Sequence, residues 1–164
     1  MALLPIVRFP DPRLRAVAEP VEFFDADLRR LADDLLETMR AAPGVGITAP
    51  HAGVLKRLVV LELTPGAVRV YVNPKLLWSS PETARASEGS VSMPGVTEEV
   101  ERAAKVRVSY RDLDGAEHEE EADGFLAVCH QHEIDQLDGI FWIDRLSRFK
   151  RDRLRARFEK LRRG

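Results

Sequence analysis

The residues with the most chemical content lie together in Cys129-His130-Gln131-His132-Glu133-Ile134-Asp135-Gln136-Leu137-Asp138-Gly139. On a helix, the pattern His-Glu-x-x-His sets two imidazoles one turn apart on one face. Both then hold a zinc-like ion while the Glu handles the proton of a metal-bound water. This chain supplies one imidazole, His132, and the carboxyl, Glu133, but Gln136 stands where the second imidazole is needed. An amide offers a weak oxygen donor in place of a good nitrogen one. His130, two residues from His132, points to roughly the opposite side of a helix and reads as a structural or surface histidine. Cys129, the only cysteine, reads as a small core hydrophobe rather than a ligand.

Two upstream segments can bring further groups to this helix. Gly44-Val45-Gly46-Ile47-Thr48-Ala49-Pro50-His51 has two glycines and a proline, which rule out a regular helix and permit close backbone approach to a ligand. Glu88-Gly89-Ser90-Val91-Ser92-Met93-Pro94-Gly95 has a glycine near each end and is too polar for a core strand, so a shaped loop is expected. If these segments meet the helix, two sharp options follow. Ser90 becomes a nucleophile when an imidazole accepts its proton, and His51, His132 and Glu133 form a relocated metal site of chemically suitable ligands. The plain alternative for Ser90 is a loop hydroxyl.

The elements that position these groups read as follows. Asp25 caps a helix whose Leu28, Leu31, Ala32, Leu35, Leu36 and Met39 fall at helical spacing up to Pro43-Gly44. Strands are expected over 57–63 and 68–73, separated by Pro65-Gly66. Val106, Val108 and Tyr110 alternate with charged residues as in a half-exposed strand, and Asp114-Gly115 turns it into an acidic strand that leaves His118 exposed. Gly124 opens the helix bearing His132 and Glu133, with Asp135 and Gln131 placed for structural hydrogen bonds. The run 140–146 is a short strand or turn with Phe141 and Trp142 in the core. Leu146, Phe149, Leu154, Phe158 and Leu161 then line one side of a terminal helix. A helix, antiparallel strands, then two helices, without repeated strand-helix-strand units, predict an α+β fold.

The 164 residues, 45% of them hydrophobic, suffice for one sizeable core, and a single domain over 1–164 is expected. A lone cysteine, no secretory leader pattern and no stretch near the roughly 20 apolar residues of a membrane span predict a soluble protein of a reducing cytoplasm. The net charge of −2 hides an acidic block, 112–123, and a basic C-terminal helix over 145–164. The acidic block reads as a solvated face. The basic helix is either a solvated amphipathic helix or a phosphate-binding surface.

In order along the chain, the Gly-x-Gly-x-x-Ala-Pro-x loop at 44–51, the Glu-Gly-x-x-Ser loop at 88–92 and the Gln-His-Glu-x-Asp-x helix at 131–136 resemble the signature of peptide deformylases. Phe9-Pro10-Asp11-Pro12-Arg13-Leu14-Arg15 and Asp144-Arg145-Leu146-Ser147 fit the same family, so the resemblance covers nearly the whole chain. It implies the family fold, antiparallel sheets around a central motif-bearing helix, with an N-terminal and a C-terminal helix. It also implies the family reaction, hydrolytic removal of the formyl group from the N-terminal methionine of nascent polypeptides in bacterial protein biosynthesis.

In that family a cysteine and two histidines hold a metal, usually iron. Those positions carry Ser90, His132 and Gln136 here, so two of three ligands are replaced. Glu133 keeps the acid/base position. His51 replaces the glutamine that hydrogen-bonds the formyl oxygen, and Thr48 replaces a small apolar residue. Gly46, whose backbone lies along the substrate, and Val91, whose N–H points at the oxyanion, are retained as substrate-binding positions with His51. Glu88 and Arg102 match a structural pair behind the second loop.

A neutral hydroxyl gives neither the charge nor the softness of a thiolate, so no metal is expected in the usual site. A weak or relocated divalent ion is the remaining cofactor option. The expected function is therefore a deformylase-like, peptide-binding protein with a degenerate metal site, its partners N-terminal peptide segments, formyl-methionyl among them. Its basic helix resembles the ribosome-docking extension of some bacterial deformylases. The alternative is a hydrolase with a rebuilt site, a weak deformylase or an enzyme for another amide or acyl substrate, using Glu133 with His132, His51 or Ser90.

Overall fold

The computed structural model describes residues 2–164. Helix α1, Ala26–Ala41, is capped by Asp25, whose carboxylate accepts from the Leu28 N–H at 3.0 Å. Its Leu28, Ala32, Leu35 and Met39 are buried together with Ile47 of β1, Gly46–Thr48, and with Leu58 and Val60 of β2, Leu58–Leu61. Strands β3, Arg69–Ser79, β6, Lys105–Arg111, and β7, Glu117–Asp123, complete a five-stranded antiparallel sheet of order β1-β2-β3-β6-β7. The mixture of helices and antiparallel sheets is the α+β architecture expected.

Strand β3 runs six residues past its expected end at Asn73. Pro74 cannot donate to the ladder, but the β3-β6 pairing shifts register between Val72 and Lys75, and the bulge absorbs the missing N–H. Asn73 there has φ 50°, and its side-chain amide bonds both the N–H and the C=O of Val21, tying down the entering chain.

The expected loop at 88–95 is a second correction. It is the tip of a hairpin formed by β4, Thr83–Ser90, and β5, Met93–Ala103, turning at Val91-Ser92. Its polarity misled because a two-stranded sheet leaves one face in water. Met93, Val96 and Val100 face inward, onto a core with Phe141, Trp142, Leu154 and Phe158.

Helix α2, Gly124–Leu137, is the central element, packed against β1, β3, β5, β6 and β7. It is buried over most of its last three turns, so its polar side chains must find partners inside the protein. Residues Trp142–Arg145 form a 3-10 turn, and α3, Arg148–Arg163, closes the chain. Leu154 and Phe158 of α3 are buried, whereas Phe149 is 72% exposed and Leu161 54%. The five-residue apolar side expected for this helix therefore reduces to an i, i+4 pair, with Leu146 buried ahead of it. Phe149 lies off that face and carries the Arg153 guanidinium over its ring instead. None of the helices is long and apolar enough to cross a membrane, among the described residues.

Candidate functional site

A cavity of about 530 Å³ opens between β1, the β4-β5 turn and α2. Gly46, Ser90, Val91, His132, Glu133 and Gln136 all line it, so the three segments singled out in the sequence do converge. Gly46 is required by space. A Cβ there would lie 2.8 Å from a Leu61 methyl and 2.9 Å from Glu133 Oε2. The Val91 carbonyl accepts from Arg8 at 3.0 Å, and Ser90 Oγ accepts from the Ser92 N–H at 3.0 Å; together they hold the turn.

The floor of the cavity is a chain of hydrogen bonds. His132 Nδ1 donates to Glu88 Oε1 at 2.8 Å, and its Nε2 accepts from the Gln136 side-chain amide at 2.7 Å. The buried Thr48 hydroxyl donates to the Gln136 carbonyl oxygen at 3.3 Å, which fixes the orientation of the amide. Both nitrogens of His132 are thus occupied by the protein itself. Behind them, Arg102 forks onto Glu88 at 2.6 and 3.0 Å and reaches Asp135 at 2.9 Å, and Arg145 grips Asp135 from the other side. Burial pushes the Glu88 pKa up, but the bonds from His132 and Arg102 outweigh it and hold the carboxyl below its ordinary range.

Glu133 differs. It is 4% exposed, its Oε2 has no hydrogen-bond partner among the described residues, and burial pushes its pKa up to about 7. Its Oε1 lies 3.6 Å from His132 Nε2. His51 is buried away from the cavity lining, with Nδ1 2.8 Å from the Ser92 hydroxyl and its ring 5.7 Å from that of Phe141. Burial, then the proximity of His132, lowers its pKa to about 3, and its Nε2 has no partner. His130 belongs to a separate structural cluster, bonded to Glu120 at 2.6 Å under Tyr71. Gln131 bonds the backbone of Ala103.

The donor set does not suit a tightly held transition metal. The one strong ligand, His132, spends its cavity-side nitrogen on Gln136, and the neighbouring donors are a neutral hydroxyl and that same amide. Cys129 lines the cavity, but burial pushes its thiol up to about 12, so the thiolate a metal needs is disfavoured. Among the described residues no three His, Cys, Asp or Glu side chains gather as a ligand group, the trio His51, His132 and Glu133 included. Ser90 makes no hydrogen bond to an imidazole, which its activation as a nucleophile requires.

Sequence reasoning flagged Thr48 as a departure without reading its role, and it missed Ser92. The signal for Thr48 was present. A hydroxyl at an ordinarily apolar site, beside a helix that has gained an amide, is a pair of matched changes.

A deformylase fold with a remade floor to its cavity is the class these features define. The chain belongs to the polypeptide deformylase family, whose model matches residues 3–152. It is 66% identical to a "Peptide deformylase-like" protein of Brucella melitensis, over 96% of this chain and 97% of that one. From one strain of Rhizobium meliloti it resembles both a "Peptide deformylase-like" protein, at 61% identity over 100% of this chain and 96% of the other, and a "Peptide deformylase", at 49% over 98% and 94%. Its fold superimposes on the crystal structure of a peptide deformylase from Legionella pneumophila with a TM-score of 0.93 at 40% identity, covering 99% of this chain and 96% of that one.

Proposed function

We propose that this protein is a divergent deformylase-family member that binds N-terminal peptide segments and lacks the family's metal centre and its usual turnover. The observation that carries the reading is the closed chain Thr48–Gln136–His132–Glu88 beneath an open, largely apolar cavity. A group that would grip an ion is spent on the protein's own hydrogen bonds, while the space for a peptide end is kept. Without a metal, a bound water keeps a pKa near its bulk value rather than about 7, and Glu133 has no activated water to deprotonate. Higher identity to proteins named deformylase-like than to one named deformylase, within a single strain, supports divergence alongside a conventional relative.

The ligands are N-terminal peptides, formyl-methionyl or other, in a bacterial cytoplasm. Helix α3 presents Arg157 and Lys160, which make no ion pair among the described residues, and suits contact with ribosomal phosphate. The test is calorimetry with short methionyl peptides beside a deformylation assay. Saturable binding with negligible turnover is expected, and deformylation, with or without bound metal, or lack of any peptide affinity contradicts the reading.

A second reading, a hydrolase with a rebuilt site, draws on one feature. Glu133, with a pKa of about 7 and a free oxygen, is poised as a general base. Turnover of an amide or acyl substrate that is abolished by Glu133→Ala would establish it.

A further inference from the structure

We infer that the cavity selects peptides with a free, protonated α-amino group over formylated ones, with Glu133 as the group that receives the ammonium. The inference rests on the peptide-binding reading above and names which chemical form of the N-terminus binds.

Three observations carry it. First, Glu133 is an almost fully buried lining residue whose Oε2 has no partner, and a buried polar oxygen left so costs free energy that a ligand donor would recover. Second, the charged side chains lining the cavity are Glu88 and Glu133, both acidic, with no lysine or arginine among the described residues there. Glu88 is already engaged by Arg102 and His132, so Glu133 is the carboxyl left to receive a ligand. Third, the other polar groups of the floor supply no positive charge. Ser90 and Gln136 are uncharged side chains of the lining, and His132 Nε2 is taken up by the Gln136 amide.

In a deformylase-type site a dication would neutralise such a floor. With the ligand positions changed to Ser90 and Gln136, an ionised Glu133 has no countercharge in the lining, and a cationic ligand would supply it. An α-ammonium brings one positive charge and three donors, whereas a formamide is neutral, with one N–H and an oxygen that adds another acceptor. The walls then call for an apolar first side chain. Val45, Leu61, Val128 and Cys129 line the cavity, with Phe125 half-exposed among them. A methionine with a free amino end fits both requirements.

The experiment is titration calorimetry on the full chain at pH 7 with three probes. These are Met-Ala-Ser, its N-formyl derivative, and the analogue in which hydrogen replaces the α-amino group. A charge-assisted hydrogen bond predicts that the free-amine peptide binds about 10- to 100-fold more tightly than either other form. In Glu133→Gln this preference should collapse toward unity. Formyl-peptide affinity equal to or greater than that of the free amine overturns this inference and leaves the peptide-binding reading standing. Absence of binding by all three overturns both. If Glu133→Gln does not fold, the three-probe series on the wild type decides alone.

Discussion

Restoring the family's ligands by Ser90→Cys with Gln136→His has a cost and a return that the structure lets one work out. Removing the Gln136 amide breaks its 2.7 Å bond to His132 and takes away the acceptor of the buried Thr48 hydroxyl. The lost bond is worth about 1 kcal/mol and the stranded hydroxyl about 1–3 kcal/mol. The metal-free double mutant should therefore be less stable by about 2–4 kcal/mol. At about 2–4 °C per kcal/mol for a chain of this size, Tm falls by roughly 5–15 °C.

The return comes with metal. A Cys-His-His set binds zinc with an apparent free energy of about 10 kcal/mol or more, a Kd below roughly 50 nM. Free zinc at 100 times Kd then stabilises by about 2.7 kcal/mol, which raises Tm by about 5–10 °C. The wild type, with His132 capped, should not respond. Adding Thr48→Ala removes the stranded hydroxyl and should recover part of the metal-free loss. The assay is scanning fluorimetry after chelation and again with zinc, alongside metal content. A double mutant that folds, stays metal-free and ignores zinc would show that more than the ligands was lost. One whose metal-free form matches the wild type would show that the Thr48–Gln136–His132 chain contributes nothing.

Glu88→Ala should cost about 3–5 kcal/mol, because it leaves the buried Arg102 with Asp135 alone and takes the partner from His132 Nδ1; urea unfolding at pH 7 measures it, and a loss under 1 kcal/mol contradicts the burial argument. The pH dependence separates two buried groups of opposite sign. Glu133, raised to about 7, contributes stability that is full below its unfolded pKa near 4.5 and is lost as pH rises through 7. His51, depressed to about 3, contributes stability that is present above 6.5 and is lost as pH falls toward 3. Glu133→Gln should therefore gain on the wild type by something on the order of 3 kcal/mol between pH 4.5 and 7, as read by urea unfolding across that range. Parallel stability curves for the two proteins would refute the burial of a poised carboxyl.

The family and the α+β class were legible because each is written in local order, whereas the meeting of 44–51, 88–95 and 131–136 was only what the family resemblance implied until the cavity brought them together. Gly46 marks a close approach, Glu133 follows His132 on one helix, and Asp25 caps another. What was not legible depends on distance in space. Gln136 reads in sequence as a lost ligand; that its amide closes onto His132 and is held by Thr48 follows only once β1 lies against α2. The 88–95 segment reads in sequence as a loop because it is too polar for a core strand, whereas the two-stranded sheet it belongs to leaves one face in water. Spacing alone puts Phe149 and Leu161 on the apolar side of α3, although only Leu154 and Phe158 of that helix are buried.

Whether this protein carries the family's metal centre is decided by elemental analysis of wild-type protein purified without an affinity tag and without added metal. Iron, zinc and nickel together far below one atom per chain are predicted from the capping of His132 by Gln136. A near-stoichiometric amount of any one of them would contradict that prediction and point to a rebuilt centre around His132 and Glu133.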